Sequence, residues 1–490
     1  MDTQVIVVGA GPVGLLLAGE LRLGGADVVV LERLTAPTTE SRASTLHART
    51  MELLDQRGLV EPLDDPACDV LSHFGGLPME LSGPPTRYRG QWKVPQTRLE
   101  ELLASWALGL GVDLRRGHEV RAVRETDAGV VVEYTTAAGP GTLTGDFLVG
   151  CDGEHSTVRA LAGFEFPGTD STRELLRADV AGIEVPNRRF ERTSKGLAIA
   201  ARRPDGVTRI MVHEFGRPAV RRTVEPSFQE LAESWATVTG EDLSGGEPLW
   251  LNAFGNAARL ATEYRRGRVL LAGDAAHRQM PVGGQALNVG LQDAMNLGWK
   301  LAAEVGGTAP EGLLDTYHGE RHPVGRRVLT AIEAQAQLLL GGPEVDAVRS
   351  VTAELLAHDR VRARLGSVIS GLDIRYGGSE QPLEGARMPH LDLVTPDGPT
   401  STTELLRPAR GVLVDLSADP RRRTRLEQKA AGLQDRIRLI SATAAPGSPV
   451  PAATLLLRPD GYVAWAGDTT ADPVPALHRW FGTPGSQPAH

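Results

Sequence analysis

Three stretches hold residues whose types and spacing suit chemistry rather than packing alone. Gly9-Ala10-Gly11-Pro12-Val13-Gly14 is a glycine-rich turn, with Glu32 one strand further on. Gly9 allows the tight turn, Gly11 lets the backbone approach a pyrophosphate, and Gly14 lets helix and strand pack closely. Glu32 is placed to accept hydrogen bonds from adenosine ribose hydroxyls. Cys151-Asp152-Gly153 is the second stretch and Gly273-Asp274-Ala275-Ala276-His277 the third, each setting an aspartate at the end of an apolar run. There Asp274 can hold a ribitol or ribose hydroxyl. The third stretch leads into Pro281, Gly283 and Gly284, whose backbone can approach a flat ligand because glycine adds no side chain. A helix follows, and a strand, a glycine loop and a helix N-terminus together make a site for a polar or anionic group. Something planar and electron-accepting fits there.

The elements that position these residues follow from periodicity. Val5 to Val8 reads as a buried parallel strand, Leu15 to Leu23 as an apolar helix and Asp27 to Leu31 as a second strand. The glycine motif therefore has the structural context that a dinucleotide fingerprint needs. Phe147 to Gly150 and Val269 to Ala272 are further buried strands. Asp152 lies at a strand's C-terminal end, where open α/β sheets bind ligands, and it also suits the cap of the helix carrying Ser156 and Arg159; a combined role is expected. From Asn288 onward Leu291, Met295, Trp299 and Ala302 recur at helical spacing. Gln96 opens a helix with Leu99, Leu102, Leu103 and Trp106 on one face, and either bonds a bound ring or caps that helix. Strands are expected over 112–114, 119–123 and 130–134.

Between Pro167 and Thr262 the pattern changes to short alternating stretches, among them 178–183, 196–201 and 208–214, interrupted by a helix over 227–238. This predicts a mostly antiparallel sheet inserted into the nucleotide domain, with His213, Phe215 and Trp250 as pocket candidates, although a lone aromatic on a strand more often belongs to the core. Helices are expected over 313–337 and 344–365, and a Pro/Gly-rich linker over 376–399. After Ser401 the order strand, helix, strand, strand, turn (Arg458-Pro459-Asp460-Gly461), strand predicts a small thioredoxin-like domain. The predicted divisions are 1–170 and 265–380 for a two-part nucleotide-binding domain, 171–264 for the inserted sheet and 381–490 for the C-terminal domain.

At 490 residues the chain has room for two or three domains, and its formal charge of -9 argues against nucleic acid as a partner. Two cysteines, Cys68 and Cys151, rule out a disulfide framework and a cysteine-based metal site, and no metal is expected. With no apolar run near the ~18–20 residues that span a bilayer, and Met1 leading straight into a strand, a cytoplasmic protein without membrane contact is expected. No Gly-x-Ser-x-Gly elbow occurs, which removes a serine hydrolase. His277 lacks metal-ligand spacing to other histidines and reads as structural.

The three motifs, in this order and spacing, resemble the single-component FAD-dependent aromatic hydroxylases of the para-hydroxybenzoate hydroxylase superfamily. The C-terminal extension and the runs His73-Phe74-Gly75-Gly76-Leu77-Pro78, Phe254-Gly255-Asn256-Ala257, Glu263-Tyr264-Arg265-Arg266-Gly267-Arg268 and Arg458-Pro459-Asp460-Gly461 make the chain similar to bacterial hydroxylases of angucycline-type polyketides. The resemblance implies a Rossmann-like FAD-binding α/β fold with an inserted, mainly antiparallel substrate sheet. It implies FAD held by Gly9, Gly11, Pro12, Gly14, Glu32, Arg33, Gln96, Val120, Asp152, Gly153 and Asp274, with Pro281, Gly283, Gly284, Ala286, Leu287 and Asn288 against the isoalloxazine. Arg42 lies near the flavin or a nicotinamide, or is a solvated arginine at a helix start. NADPH or NADH reduces the flavin, dioxygen adds to it, and the resulting hydroperoxide hydroxylates an electron-rich ring of a polycyclic aromatic polyketide. The protein acts as a monomer or homodimer.

One position departs from the family pattern. Ala286 stands where the resemblance places glycine, in Gly-Gly-Gln-Gly-Leu-Asn, beside the point where dioxygen meets the flavin. Alanine fits there if φ stays negative. If it does not, the chain binds flavin yet oxygenates slowly, or serves as a non-oxygenating flavin-binding partner. Baeyer–Villiger insertion and oxidase chemistry are the alternatives on the same scaffold.

Overall fold

The protein is described by a computed structural model covering residues 1–39, 43–81, 83–378, 381–448 and 450–484. The strand Thr3–Val8 lies inside a mainly parallel sheet, between the C-terminal half of Gly139–Gly150 (Val5 opposite Phe147) and Val28–Glu32 (Val5 opposite Val28). Asp113–Arg116 flanks it on one side, and Val269–Leu271 then Arg265–Arg266 on the other. Val5, Ile6 and Val7 are fully buried, because helices cover both faces of such a sheet and only unbroken aliphatic runs satisfy it. The N-terminal half of Gly139–Gly150 leaves this layer to pair antiparallel with Gly129–Thr136, which pairs with Glu119–Thr126.

The helices Pro12–Leu23 and Gln285–Val305 pack side by side on the sheet. Glycine sets their separation. A β-carbon on Gly298 would stand 2.4 Å from Cβ of Glu20, and one on Gly290 2.7 Å from Cγ2 of Val13. These contacts bring the first glycine turn and the start of the later helix to the same end of the sheet.

The inserted layer is a five-stranded antiparallel sheet in the order Arg188–Arg192, Gly196–Arg202, Thr208–Glu214, Glu174–Ala181, Glu247–Gly255. Alternation divides its faces. Leu176, Ala178 and Val180 pack with Trp235 of the helix Phe228–Thr239, while Leu175 and Leu197 join Met280, Val282 and Val289 on the other face. Because Gly139–Gly150 and Val269–Leu271 are parallel neighbours (Leu148 opposite Val269), the insert is an excursion between two adjacent strands of one sheet.

Three expectations need correction. The strand predicted over 178–183 runs from Glu174 to Ala181 and is ended by Gly182, whose φ is +73°. The helix predicted over 344–365 is two helices, Asp346–Leu356 and Asp359–Ser370, separated where His358 takes an extended backbone. The segment 376–399 is no free linker: Tyr376, Met388, Leu391 and Leu393 are buried, and Asp392–Thr395 pairs with Gly398–Ser401. Gly385 and Pro396 fall in turns of this packed segment, while Gly398 and Pro399 belong to a strand.

The C-terminal domain carries a sheet in the order Ile437–Ser441, Gly411–Asp415, Thr454–Leu457, Val463–Gly467, the first pair parallel and the others antiparallel, which is a thioredoxin-like arrangement. Its Arg458-Pro459-Asp460-Gly461 turn docks into the rest of the molecule. Arg458, 1 % exposed, donates to Glu320 at 2.6 and 2.9 Å and to Asp460, amid the rings of Trp299, Tyr376, Tyr462 and Trp480. The same Glu320 accepts from Lys300 at 2.8 Å. Burial lowers the Lys300 ammonium to about 8, against the pull of Glu320.

Candidate functional site

At the N-terminal turn, backbone-to-backbone packing demands two of the glycines. Gly9 has φ +103°, and a β-carbon there would lie 2.4 Å from the Cys151 carbonyl oxygen; one on Gly14 would lie 2.0 Å from the Gly9 carbonyl oxygen. Gly11 is different. Its φ is −75°, and nothing lies within 4 Å of the place a β-carbon would take. This open space sits at the start of Pro12–Leu23, where Gly11 gives no side-chain cap and the first turn has no acidic residue. The unmet N–H groups and the positive end of the helix dipole therefore face outward. Glu32 ends its strand beside them: Oε2 accepts from the Ala10 N–H at 2.7 Å and Oε1 from the Leu34 N–H at 2.8 Å, which fixes the carboxylate and leaves it further acceptor capacity. Arg33 is exposed next to it, while Val120 is a buried core residue on the neighbouring strand.

Asp152 caps the helix Thr157–Leu161. Its Oδ2 accepts from the N–H groups of Thr157 (2.7 Å) and Val158 (3.0 Å), and its Oδ1 from the Ser156 hydroxyl (2.5 Å). Burial pushes its carboxyl up, with these bonds opposing. Gly153 turns the chain at φ +81°. Asp274 is exposed in the single 3-10 turn Gly273–Ala275. That turn touches the other elements, since a β-carbon on Gly290 would be 3.0 Å from Gly273 Cα. Gln96 receives the Ala43 N–H on Oε1 at 3.2 Å and donates from Nε2 to Glu100 at 2.8 Å, so its side chain pins the segment around Ala43. Ser41 and Arg42 lie outside the described residues.

The loop before the long helix is built on two left-handed glycines, Gly283 (φ +67°) and Gly284 (φ +68°), after an exposed Pro281. Gly284 is the N-cap of Gln285–Val305, again with no side-chain cap and no acidic residue in the first turn. Ala286 lies in that first turn and is not among the non-glycine residues with positive φ, so the methyl group sits on ordinary helical backbone. Leu287 is half-buried and Asn288 buried. Asn288 fastens the loop: its Oδ1 accepts from the His47 N–H (2.8 Å), and its Nδ2 donates to the carbonyls of Thr45 (3.0 Å) and Gly284 (2.7 Å). His47, fully buried, bonds the Gly283 carbonyl through Nε2 at 2.8 Å, while its Nδ1 has no partner. Burial lowers the imidazole to about 4, so it is neutral at ordinary pH.

His277 is structural, as its sequence context implied. It bonds the fully buried Asp293 at 2.8 Å; Asp293 also receives the Gly273 N–H (3.2 Å) and Arg321 Nε (2.7 Å). Arg321 continues to the Val289 carbonyl and the Tyr376 hydroxyl. This buried network locks the aspartate turn to both long helices.

Of the three pocket candidates on the inserted sheet, His213 is a clamp, bonding the carbonyls of Glu174 (2.8 Å) and Leu340 (3.0 Å). Trp250 stacks on Arg177 at 4.5 Å. Phe215 stacks on Arg192 at 4.5 Å and lines a cavity of about 530 Å³ with Arg173, Arg217 and Glu344. The sheet face that meets the glycine loop is instead apolar: Leu175, Leu197, Ile199, Met211 and Phe254.

A dinucleotide carrying a flat redox ring fits this arrangement: the gap over Gly11, the carboxylate of Glu32, and a second uncapped helix N-terminus behind a glycine loop. The chain belongs to the FAD-dependent aromatic hydroxylases. The FAD binding domain family matches residues 2–331, and the aromatic-ring hydroxylase C-terminal family matches 381–484. The chain is 42 % identical over 513 aligned residues to the 12-dehydrotetracycline 5-monooxygenase/anhydrotetracycline 6-monooxygenase of Streptomyces rimosus, covering 99 % of this chain and 100 % of that one. It is 41 % identical to a rifampicin monooxygenase of Streptomyces venezuelae, covering 98 % of each. Among solved structures, CabE, an aromatic hydroxylase from angucycline biosynthesis, superposes with a TM-score of 0.94 at 50 % identity, covering 98 % of this chain and 99 % of that one. The protein is an FAD-dependent monooxygenase, and among its described residues no helix is long and apolar enough to cross a membrane.

The sequence reading missed the clamp that His47 makes on the loop, and Arg321 behind Asp293. Each partner lies on another element of the chain, 236 positions away for His47 and 28 for Arg321, and the residues flanking them carry no signal of burial.

Proposed function

We propose that the protein hydroxylates a polycyclic aromatic polyketide, using FAD, NADPH or NADH, and dioxygen. The observation that carries this reading is the pair of uncapped helix N-termini, at Gly11 and Gly284, brought to one end of the sheet, with an apolar face of the inserted layer against the loop at the second. In this scheme Gly11 and Pro12 would hold the pyrophosphate, Glu32 would take the ribose hydroxyls with Arg33 beside it, and Asp274 would hold a hydroxyl of the cofactor's sugar chain. Asp152 and Gly153 shape the turn that Gly9 packs against, and Gln96 holds the segment beside the ring. Bound FAD, once reduced by the nicotinamide, supplies the activation of dioxygen.

The chain's own residues do the rest. The N–H groups of Ala286 and Leu287, in the first turn and without intrahelical partners, would stabilise negative charge on a ring held against the loop. The sheet residues Ile199, Met211 and Phe254 exclude water and hold a flat substrate over it. A phenolate on the substrate supplies the electron push toward oxygen. The helical backbone at Ala286 supports an oxygenating enzyme over a non-oxygenating flavin-binding partner.

The test is NADPH oxidation by the purified holoenzyme with anhydrotetracycline and with an angucyclinone, under isotopically labelled dioxygen. One labelled oxygen on an aromatic carbon is expected. An ester product would indicate Baeyer–Villiger insertion, and NADPH consumption yielding only hydrogen peroxide would indicate an oxidase.

A further inference from the structure

The cavity of about 530 Å³ beside Phe215 adjoins the apolar face of the inserted sheet. Alternation along Thr208–Glu214 puts Met211 and His213 on one side, and the pairing sets Met211 opposite Ile199 and His213 opposite Leu197. Phe215 continues that row past the strand's end, four residues or about 13 Å beyond Met211. Leu340 belongs to both places. It lines the cavity, and it packs in the same cluster as Leu197, Met280 and Val282, the last two beside the glycine loop. The cavity is therefore an outward extension of the face proposed to hold the substrate.

His213 stands between the two in this row. Its Nε2 meets the Leu340 carbonyl at 3.0 Å, and its Nδ1 meets the Glu174 carbonyl at 2.8 Å. Leu340 ends the helix Thr316–Leu340, so the first bond ties the sheet to the helix across the gap. Both acceptors are carbonyl oxygens, and a neutral imidazole carries a single N–H, so only the imidazolium holds both bonds. Burial draws His213 below its ordinary 6.5; Arg173 adds to the fall, while the two carbonyls and Glu214 oppose it. Around it stand Glu174 on one neighbouring strand, Lys195 at the start of the other, and Arg192, Arg217 and Glu344 at the cavity. At neutral pH the ring has one proton to share between two carbonyls. One bond must yield.

We propose that this cavity is the door by which the flat polycyclic substrate reaches the flavin loop, with the His213–Leu340 hydrogen bond as the bar across it. This rests on the hydroxylase reading above. Phe215 and Leu340 give an arriving ring apolar contact, and Arg173 and Arg217 attract its phenolic oxygens. The test mixes FAD-loaded enzyme with danthron, a dihydroxyanthraquinone, or with anhydrotetracycline in a stopped-flow instrument. The flavin absorbance gives uptake and release rates, and their ratio is checked by equilibrium titration. Ser194→Trp fills the cavity from an exposed lining residue. His213→Leu removes the bar, and His213→Gln, which keeps a donor without titrating, serves should leucine disturb the fold.

A residue on the route that does not touch the bound molecule changes uptake and release alike. Ser194→Trp should slow both at least about 5-fold and leave the dissociation constant within about 2-fold. His213→Leu should speed both about 3- to 10-fold, the size of one hydrogen bond. Wild-type uptake should slow as pH falls from about 7 to about 5.5 and the imidazolium forms, and both His213 variants should lose that slowing. Unchanged rates in folded Ser194→Trp protein overturn the door. Weaker affinity with unchanged uptake also overturns it, because the cavity would then be a binding subsite. His213 variants that keep the slowing at low pH overturn the bar. FAD-loaded wild type that takes up neither probe overturns the hydroxylase reading and the door together, whereas the other results leave that reading standing.

Discussion

Replacing Gly11 by valine separates binding from folding. Gly11 has an ordinary negative φ and nothing within 4 Å of its missing β-carbon, so the folded protein accepts the side chain without strain. Surface changes of this kind shift stability by less than about 0.5 kcal/mol. The same side chain projects into the space over the helix start that the pyrophosphate needs. Overfilling such a contact costs about 1–3 kcal/mol, or roughly 5- to 150-fold in affinity. Gly14→Ala is the opposite control: its methyl would stand 2.0 Å from the Gly9 carbonyl oxygen, a backbone atom that has no easy retreat. That variant should lose at least about 1–3 kcal/mol of stability. Urea denaturation of the apoproteins and fluorescence titration with FAD measure both quantities. A Gly11→Val protein that binds FAD like the wild type would refute the placement of the pyrophosphate.

Other outcomes follow from the buried polar contacts. Asn288→Ala removes three hydrogen bonds and strands the His47 N–H, so urea denaturation should show a loss of about 2–4 kcal/mol, while Asn288→Asp keeps the bond to His47 and should lose less. Glu320→Gln leaves Lys300 and Arg458 under-compensated in the interior and should cost about 3–5 kcal/mol, part of which Lys300→Met in the same chain should restore; a variant within about 0.5 kcal/mol of wild type would show that the network carries little. His47, held near 4 when folded and close to its ordinary 6.5 when unfolded, binds fewer protons in the native state. Its contribution is therefore intact above about pH 6.5 and is lost as pH falls toward 4, by about 2 kcal/mol between pH 7 and 5. Denaturation midpoints across that range should fall less steeply in His47→Gln.

Where function rests on local backbone geometry, the chain could be read directly. Gly9, Gly11 and Gly14 lie within one turn, and each need arises from neighbours in the motif or one adjacent strand. The inserted sheet and the thioredoxin-like domain were legible for the same reason, since alternation and turn residues report on local elements. Contacts between distant segments left no such signal. His47 meets Gly283 across 236 positions, and Gln335 meets Gly75 across 260. The break at His358 was hidden because the helical pattern continues on both sides. The stretch 376–399 looked like a linker because composition records turns but not burial, and Tyr376 and Leu393 are buried by partners elsewhere.

The insertion between two adjacent strands also has a consequence for biosynthesis. The helix starts at Gly11 and Gly284 belong to opposite ends of an interrupted domain, and the strand Val269–Leu271 joins its sheet only after the whole inserted layer has been made. At about 5–20 residues per second, the ribosome takes roughly 15–55 s to travel from one helix start to the other. During that time the nascent chain holds half a cradle, with the aliphatic edge of Gly139–Gly150 awaiting its neighbour. The inserted sheet has its own core around Trp235 and can fold meanwhile, shortening the distance that the late strand must close. Capture of the cofactor is thus a late event in the life of each new chain, and a chaperone that shields that edge would raise the yield of flavin-loaded protein.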